Sequence, residues 1–208
     1  MTRLDIFADP VCPWCLIGKT ELDRALDSRP DHPFAITWHP FRLNPTMPRE
    51  GMDRVAYLRA KLGDQAEAAG RALAERAAQL GLALNPSPRE PDTTDAHRLM
   101  HWAGLEDAQD RVMEGLLRAH WLEGRDIGDP AVLSDIAAAA GMDGTVTARL
   151  LASDADRDEV ARREAHARQR GISAVPTFIV GDTHAVSGAQ PAALWQQVID
   201  DLTGRHDG

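Results

Sequence analysis

Apolar residues occur at two different spacings along the chain, and the change of spacing marks the predicted elements. Leu4–Ala8 is a short apolar run that ends at Asp9-Pro10, which predicts a buried strand. From near Cys12 the apolar positions recur at the spacing of a helical face, until Ser28-Arg29-Pro30 ends the pattern. Phe34–Phe41 then alternates, with its apolar side chains on one face. The chain is therefore predicted to open as strand, helix, strand, the order of a βαβ unit.

The middle of the chain is predicted to be helical. Between about Pro48 and Gly171, strand-forming residues are sparse and Ala, Leu, Arg and Glu are frequent. The predicted helices are Gly51–Leu62, Gln65–Leu80, Thr94–Trp102, Glu106–Leu122, Asp129–Ala140, Thr145–Leu151 and Asp154–Gln169. Strand character returns at Thr177–Val180 and His184–Ser187, and Pro191–Leu202 is predicted as a last helix. The predicted order is β-α-β, a helical block, then β-β-α.

Size and charge narrow the classes of protein that this pattern can represent. The chain has 208 residues, which suffices for one domain or one domain with a large insertion. Its formal net charge of −9 argues against nucleic acid or an anionic membrane as the main partner. No apolar run approaches the roughly 20 residues that span a bilayer. Asp5 interrupts the N-terminal apolar run, so we expect no secretory signal and a cytoplasmic protein.

The chain has only two cysteines, which excludes a disulfide-stapled scaffold. Cys12 and Cys15 enclose Pro13 and Trp14 where the first predicted strand gives way to a helix. A helix N-terminus stabilises a thiolate through its unpaired N–H groups and its dipole. The spacing places Cys15 one turn below Cys12, within reach of a mixed disulfide formed there. The motif therefore favours a redox-active pair, with Cys12 as the attacking and Cys15 as the resolving sulfur.

The cysteine pair has two other interpretations. Half of a zinc site would need two histidines, and His97 with His101 is the obvious pair because they lie four apart on a predicted helix. The motif lacks the companion spacing usual for zinc, so no metal is expected. Two inert buried cysteines are the other alternative.

A proline far along the chain bears on the same motif. Val175-Pro176 precedes the predicted strand Thr177–Val180. A proline at the first residue of a strand has an ordinary explanation, because it needs no ladder partner there. Combined with the Cys-x-x-Cys helix and the βαβ opening, however, this segment resembles the thioredoxin superfamily. The resemblance implies a cis-proline facing the cysteines and a Val175 backbone that hydrogen-bonds an extended peptide or thiol substrate.

Several further stretches are similar to FrnE-like proteins of the DsbA family. They lie at residues 9–18, 38–45, 94–99, 171–178 and 187–191, and the resemblance spans about residues 4–203. It implies an α/β thioredoxin-like fold with a large all-helical domain inserted after the second strand. The thioredoxin-like domain is expected at residues 1–46 and 153–208, and the inserted helical domain at 47–152. One position departs from the family: the buried acid expected six residues before the first cysteine is Ile6 here.

The resemblance also implies an activity and a set of partners. The expected activity is thiol–disulfide oxidoreduction through Cys12 and Cys15. No tightly bound cofactor is expected beyond the redox-active disulfide, with glutathione as a candidate thiol partner. Protein or small-molecule thiols and disulfides are the expected substrates, and an external reductant or oxidant must turn the enzyme over. The expected substrate-binding residues are Pro13, Trp14, Phe41, Asn44, His97, Val175 and Pro176.

Some of these assignments leave alternatives open. Trp14 is expected to lie exposed beside the thiols, with packing as the alternative. Core packing explains Phe41 at least as well as a place at the cleft, and His97 could be a structural histidine. The same clan includes glutathione-dependent 2-hydroxychromene-2-carboxylate isomerases, which lack the paired cysteines, so the pair favours redox chemistry. A chaperone that holds unfolded segments without redox turnover is a further alternative.

Overall fold

The computed structural model describes residues 1–205, and its elements follow the predicted order. In chain order they are β1 (Thr2–Ala8), α1 (Pro13–Ser28), β2 (Phe34–Pro40), β3 (Met52–Asp53), α2 (Arg54–Leu62), a short 3-10 helix (Gly63–Gln65), α3 (Ala66–Gln79), β4 (Arg89–Glu90), α4 (Thr94–Leu105), α5 (Gln109–Trp121), α6 (Pro130–Ala139), α7 (Gly144–Leu151), α8 (Arg157–Gln169), β5 (Thr177–Val180), β6 (His184–Ser187) and α9 (Ala192–Thr203). No described helix is long and apolar enough to cross a membrane.

A four-stranded sheet in the order β2-β1-β5-β6 forms the centre of the molecule. β1 runs parallel to β2 and antiparallel to β5, so it is hydrogen-bonded on both edges. Leu4, Ile6 and Ala8 are fully buried. This explains why Leu4–Ala8 is apolar except at Asp5, since a central strand covered on both faces has no solvent side. The cysteine motif follows closely after the carboxyl end of β1.

The segment expected to be all-helical contains seven helices between β2 and β5, and also one small ribbon. β3 and β4 pair antiparallel over two residues each, with Met52 opposite Glu90. The first helix therefore begins at Arg54 instead of Gly51, where the Asp53 carboxylate accepts a hydrogen bond from the Ala56 N–H at 2.8 Å. Sequence periodicity missed this ribbon because its pairing depends on a distant segment.

The helical segment and the sheet share one core. α4, α5 and α8 pack against β2, and α1 packs against α9. β2 ends at Pro40, and α7 ends at Leu151. The domain boundaries expected at 46/47 and 152/153 stay predictions, and residues 206–208 of the expected C-terminal part lie outside the described residues.

Candidate active site

Cys12 caps the N-terminus of α1, where β1 ends. Its backbone is extended, with φ −82° and ψ 118°, and Pro13 is the first helical residue. The Cys12 N–H donates to the Asp9 carbonyl at 2.9 Å, and the Cys15 N–H donates to the Cys12 carbonyl at 3.0 Å. The first turn of α1 carries no acidic residue that would oppose an anion. The positive end of the helix dipole therefore faces the position at which a Cys12 thiolate forms.

The Val175 carbonyl lies against the Cys12 sulfur from the other side of the site. The Cys12 thiol donates to this carbonyl oxygen at 3.4 Å, and the Val175–Pro176 peptide bond is cis. Gly18 lets α1 approach this segment, because a Cβ added there would lie 3.1 Å from the Pro176 side chain. Helix α1 and the chain before β5 thus bring together two motifs separated by more than half of the sequence.

An apolar cavity of about 340 Å³ opens beside Cys12. Its lining comes from five parts of the chain, namely Val11, Cys12, Pro13, Trp14, Leu43, Arg54, Tyr57, Leu58, Lys61, Leu62, Glu90, Ser173, Ala174 and Val175. Trp14 is 42% exposed at its rim, whereas Cys12 is only 4% exposed. A larger cavity of about 540 Å³ borders β2 but contains neither cysteine. We assign the smaller cavity as the candidate substrate site because Cys12 lines it.

The two cysteines differ in their surroundings. Burial raises the pKa of the Cys15 thiol well above its usual range, and the neighbouring Cys12 raises it further by hydrogen bonding and by charge. A hydrogen bond from the Asp9 backbone lowers the Cys15 pKa, while the charge of the Asp9 carboxylate raises it. Cys15 is therefore a protonated thiol at neutral pH, and it needs a proton acceptor before it can attack.

The predicted substrate-binding residues occupy different places. Pro13, Trp14 and Val175 line the cavity. The Asn44 side chain accepts a hydrogen bond from the Tyr57 hydroxyl at 2.8 Å, just behind the lining. Phe41 lies in the core, with the Arg168 guanidinium 4.2 Å from its ring centroid.

His97 and Pro176 complete that set. Pro176 lies between Gly18 and β5 and is not part of the lining. His97 is 2% exposed, and its Nε2 is 3.4 Å from an oxygen of Asp9. Its neighbour along α4, His101, lies near Arg163 and Asp156 instead. Within residues 1–205 no group of three His, Cys, Asp or Glu side chains is arranged to hold a metal ion.

Sequence reasoning missed the contribution of α2 to the site. Tyr57 and Leu58 of this helix line the cavity, and Arg54 binds the buried Glu90 carboxylate at 2.7 Å. Burial raises the pKa of Glu90 to about 7, although Arg54 opposes the shift. The helical pattern of this segment was visible in the sequence, but nothing local shows that it folds over the thiols.

The comparisons with known proteins agree with this architecture. The model of the DSBA-like thioredoxin domain matches residues 3–200. The uncharacterized protein YwbO of Bacillus subtilis is 28% identical over 203 residues, covering 96% of each chain. A probable DsbA oxidoreductase from Streptomyces coelicolor is 30% identical, with a TM-score of 0.87 over 100% of this chain and 92% of that chain.

Two further solved structures share the fold at lower identity. A 2-hydroxychromene-2-carboxylate isomerase has a TM-score of 0.74 at 15% identity, with coverage of 97% of this chain and 96% of that chain. The cytosolic disulfide reductase DsbM from Pseudomonas aeruginosa has a TM-score of 0.69 at 17% identity, with coverage of 98% and 100%. The predicted thioredoxin-like fold is confirmed, and the match over residues 3–200 shows that the chain belongs to the DSBA-like thioredoxin domain family.

Proposed function

We propose that this protein is a thiol–disulfide oxidoreductase whose nucleophile is Cys12. The observation that carries the proposal is the position of the Cys12 sulfur. It lies at the N-terminus of α1, on the Val175 carbonyl, and at the wall of an apolar cavity. A helix N-terminus favours the thiolate, and the backbone of the Val175 segment is the proposed contact for an extended substrate. Among the described residues that line the cavity, Cys12 is the only thiol, and a thiol is what disulfide exchange requires.

The proposed reaction uses both cysteines in sequence. The Cys12 thiolate attacks one sulfur of a substrate disulfide, forms a mixed disulfide and expels the first substrate thiolate, which takes up a proton. Cys15 then loses its proton and attacks the Cys12 sulfur, and the second substrate thiolate leaves. The substrate gains two electrons and two protons, and the Cys12–Cys15 pair becomes a disulfide. The reverse sequence oxidises a dithiol, so the external redox couple sets the direction.

A thiol such as glutathione is the proposed small-molecule partner. Lys61 adds positive charge to the largely apolar cavity, next to the ion pair of Arg54 and Glu90, and this charge suits a small thiol that carries carboxylates. DsbM has also been solved with GSH. We propose no tightly bound cofactor beyond the redox-active disulfide, and a reducing compartment such as the cytoplasm.

The first prediction concerns the two sulfurs. Cys12→Ser is expected to abolish disulfide reduction of insulin by dithiothreitol above the uncatalysed rate, because no other thiol of the described residues borders the cavity. Cys15→Ser is expected to accumulate a mixed disulfide between Cys12 and the substrate, detectable by mass spectrometry, because the resolving thiol is absent. Undiminished turnover by Cys12→Ser would overturn the mechanism.

The same variants separate this proposal from the two alternatives. A glutathione-dependent isomerase would keep turning over 2-hydroxychromene-2-carboxylate with glutathione when both cysteines are serine. A chaperone would still suppress aggregation of an unfolded protein in that double variant. Either result, combined with a wild type that reduces no disulfide, would replace the oxidoreductase assignment.

A further inference from the structure

A cavity of about 310 Å³ lies between helix α8 and the central sheet, and neither cysteine lines it. Six of the side chains around it belong to arginine or histidine, namely Arg3, His39, Arg162, Arg163, His166 and Arg170. Among the described residues, Glu159 is the only acid in the lining. Because the protein as a whole has a formal net charge of −9, its composition does not account for this concentration of positive charge.

Helix α8 supplies most of this charge from one stripe. Its lining residues recur at intervals of four, three and four positions, at Glu159, Arg163, His166 and Arg170. They therefore lie along one side of the helix and its C-terminal cap, next to the stripe that carries the buried side chains of α8. A helix normally borders the interior with apolar residues. Here it borders a cavity with cations, which favours an anionic ligand.

Two of the four arginines around the cavity have acidic partners. Arg3 binds the buried Asp5 carboxylate at 2.8 Å. Arg162 binds Glu159 at 2.5 Å, so the acid of the lining is already paired. These two ion pairs leave the charges of the other two arginines to be balanced.

Arg163 and Arg170 are those two arginines. Within residues 1–205, neither guanidinium forms an ion pair with a carboxylate, and that of Arg170 forms no hydrogen bond. Nη1 of Arg163 lies 3.3 Å from Nδ1 of His101, a ring that supplies no negative charge. Although they are two turns apart along α8, both arginines reach the same cavity. An anion placed there is attracted by both of them.

His39 adds an aromatic wall to the cavity rather than a further charge. Burial lowers the pKa of its imidazole, and Asp5, whose carboxylate lies 2.6 Å from Nε2, opposes the shift. The charges of Arg163 and Arg3 lower this pKa further. The ring stacks on Phe7, with 4.8 Å between the ring centroids. The positive charge of the cavity therefore comes from arginines, which stay protonated at any physiological pH.

The cavity of about 540 Å³ beside β2 adjoins this one, since Arg163 and Glu159 line both. Ile36 and Leu105 give the larger cavity apolar surface, and Leu105 is 77% exposed there. The Asp107 carboxylate in its lining can accept hydrogen bonds from hydroxyl or amino groups. Each volume lies within the range of about 300–1,000 Å³ that is usual for small-molecule sites. Together they have room for an anionic group and the organic part that carries it.

We propose that the two cavities bind an organic phosphate, whose phosphate group contacts Arg163 and Arg170 and whose organic part lies against Ile36 and Leu105. Guanidinium forks match the oxygens of a phosphate and bind them through paired, charge-assisted hydrogen bonds. A phosphate monoester carries about 1.5 to 2 negative charges at neutral pH, so it balances two unpaired arginines better than one carboxylate does. The site is separate from the proposed redox reaction, because neither cysteine lines either cavity.

Titration calorimetry with the full-length, reduced protein tests the class of ligand. The probes are AMP and glucose 6-phosphate, their neutral counterparts adenosine and glucose, and inorganic phosphate. We expect at least one organic phosphate to bind at least about 10-fold more tightly than its neutral counterpart and than inorganic phosphate, because both parts of the ligand have a place in the cavities. The proposal is wrong if neither organic phosphate binds, or if neither binds more tightly than both of its reference compounds.

Substitution of the two unpaired arginines locates the site. Arg163→Gln and Arg170→Gln are each expected to weaken binding of the organic phosphate by about 10-fold, since each removes a charge-assisted contact. Arg71→Gln is the matched control, because Arg71 is an exposed arginine of α3 that pairs with Glu67 at 3.6 Å. It should change the affinity by less than about 2-fold, because a distant surface charge is screened.

Arg170→Gln decides the outcome if Arg163→Gln does not fold. The Arg170 side chain is exposed and has no partner among the described residues, so its loss removes no contact within the protein. An affinity in Arg170→Gln equal to that of Arg71→Gln would contradict the proposal. Weaker binding in Lys61→Gln but not in Arg170→Gln would place the phosphate beside Cys12 and would also contradict it.

Duplex DNA distinguishes a small-molecule site from a surface for nucleic acid. At about 0.15 M salt we expect no binding of the duplex, because the acidic protein repels a long polyanion. Binding of the duplex without binding of either organic phosphate would overturn the proposal. None of these measurements depends on disulfide exchange, so a failure of the proposed oxidoreductase function leaves them unaffected.

Discussion

At the scale of single residues, the two cysteines of the site carry the same thiol group but lie in different surroundings. Cys12 has a helix terminus and a carbonyl beside it, whereas Cys15 is enclosed by protein and its pKa is raised. The same contrast applies to the buried groups behind the cavity. Burial raises the pKa of Glu90 to about 7, and burial with the nearby Arg54 lowers that of His120 to about 3. Both groups are therefore favoured in their neutral forms by the folded protein.

His120 provides a prediction about acid stability. Both of its ring nitrogens are buried without a hydrogen-bond partner. Because its pKa is about 3 when folded and near 6.5 when unfolded, the unfolded state binds a proton first as the pH falls below 6.5, and stability is lost. In His120→Phe the free energy of unfolding should therefore fall less steeply with decreasing pH than in the wild type, by up to about 1.4 kcal/mol per pH unit. Urea unfolding at a series of pH values measures the slope.

Glu90 changes the pH dependence of stability in the direction opposite to His120, which makes the effect of His120→Phe easier to measure. Its folded pKa of about 7 exceeds the ordinary value of 4.5, so the folded state binds the proton first and Glu90 favours folding as the pH falls through this range. In His120→Phe the loss of stability caused by His120 is absent, so the contribution of Glu90 should become visible. The free energy of unfolding of this variant should rise as the pH falls from 7 to 4.5. The exposed His166→Gln serves as control. A His120→Phe slope equal to that of the wild type would contradict the assignment.

At the scale of elements, α1 connects the two halves of the site. Gly18 lies in the middle of this helix, where glycine is unfavourable relative to alanine by roughly 0.5–1 kcal/mol. The structure explains why a side chain is absent: an added Cβ would lie 3.1 Å from Pro176 and 3.4 Å from Phe178. The close approach of α1 to β5 holds the Cys12 helix against the Val175 segment.

Gly18→Val tests this packing. We expect it to lower the free energy of unfolding by about 1–3 kcal/mol, since the added methyl groups overpack the contact with Pro176. Gly70→Val in α3 is the matched control, because nothing lies within 4 Å of a Cβ at that position. The control should change stability by less than about 0.5 kcal/mol. Equal effects of the two substitutions in denaturant melts would argue against the close approach.

At the scale of the whole molecule, the central strand of the sheet is tightly packed, whereas helix α2 beside the cavity is packed only lightly. β1 is buried along most of its length, whereas α2 has no buried residue and Val55 is 65% exposed. Yet α2 supplies one wall of the cavity, through Tyr57 and Leu58. Few buried apolar contacts imply a low free energy of local opening. Cys12 thus lies on the firmly packed part of the molecule, next to β1. The helix that walls its cavity, α2, is expected to open more easily.

Hydrogen exchange should reveal this difference directly. Amides in Arg54–Leu62 are expected to exchange at least about 10-fold faster than those in the central turns of α1, because α2 opens without disturbing the core. Mass spectrometry of peptides from the intact protein provides the comparison within one sample. Equal protection of the two helices would show that α2 is held as firmly as the core.

The sequence by itself determined the features that depend on local geometry. Alternating and helical spacings gave the strands and most helices, and the Cys12–Cys15 spacing at a strand end indicated the nucleophile. Resemblance to the DsbA family then implied that Val175 faces the cysteines. The element predictions are confirmed, because period and capping depend on residues only a few positions apart. The Cys12 thiol does contact the Val175 carbonyl, while the role of Cys12 as nucleophile stays a prediction. The helix boundaries were less accurate: α8 begins at Arg157, after Asp156 adopts a left-handed conformation.

Only the tertiary structure decided which distant groups share the site. The sequence gives no sign that α2 covers the thiols, or that Met52–Asp53 pairs with Arg89–Glu90. Nor does it show that the Asp9 carboxylate lies 3.4 Å from Nε2 of His97. Such contacts depend on how whole elements pack, and packing depends on shape and burial summed over many residues rather than on any short motif. The same packing removes water from Cys15, and this burial raises the pKa of its thiol above that of the free side chain.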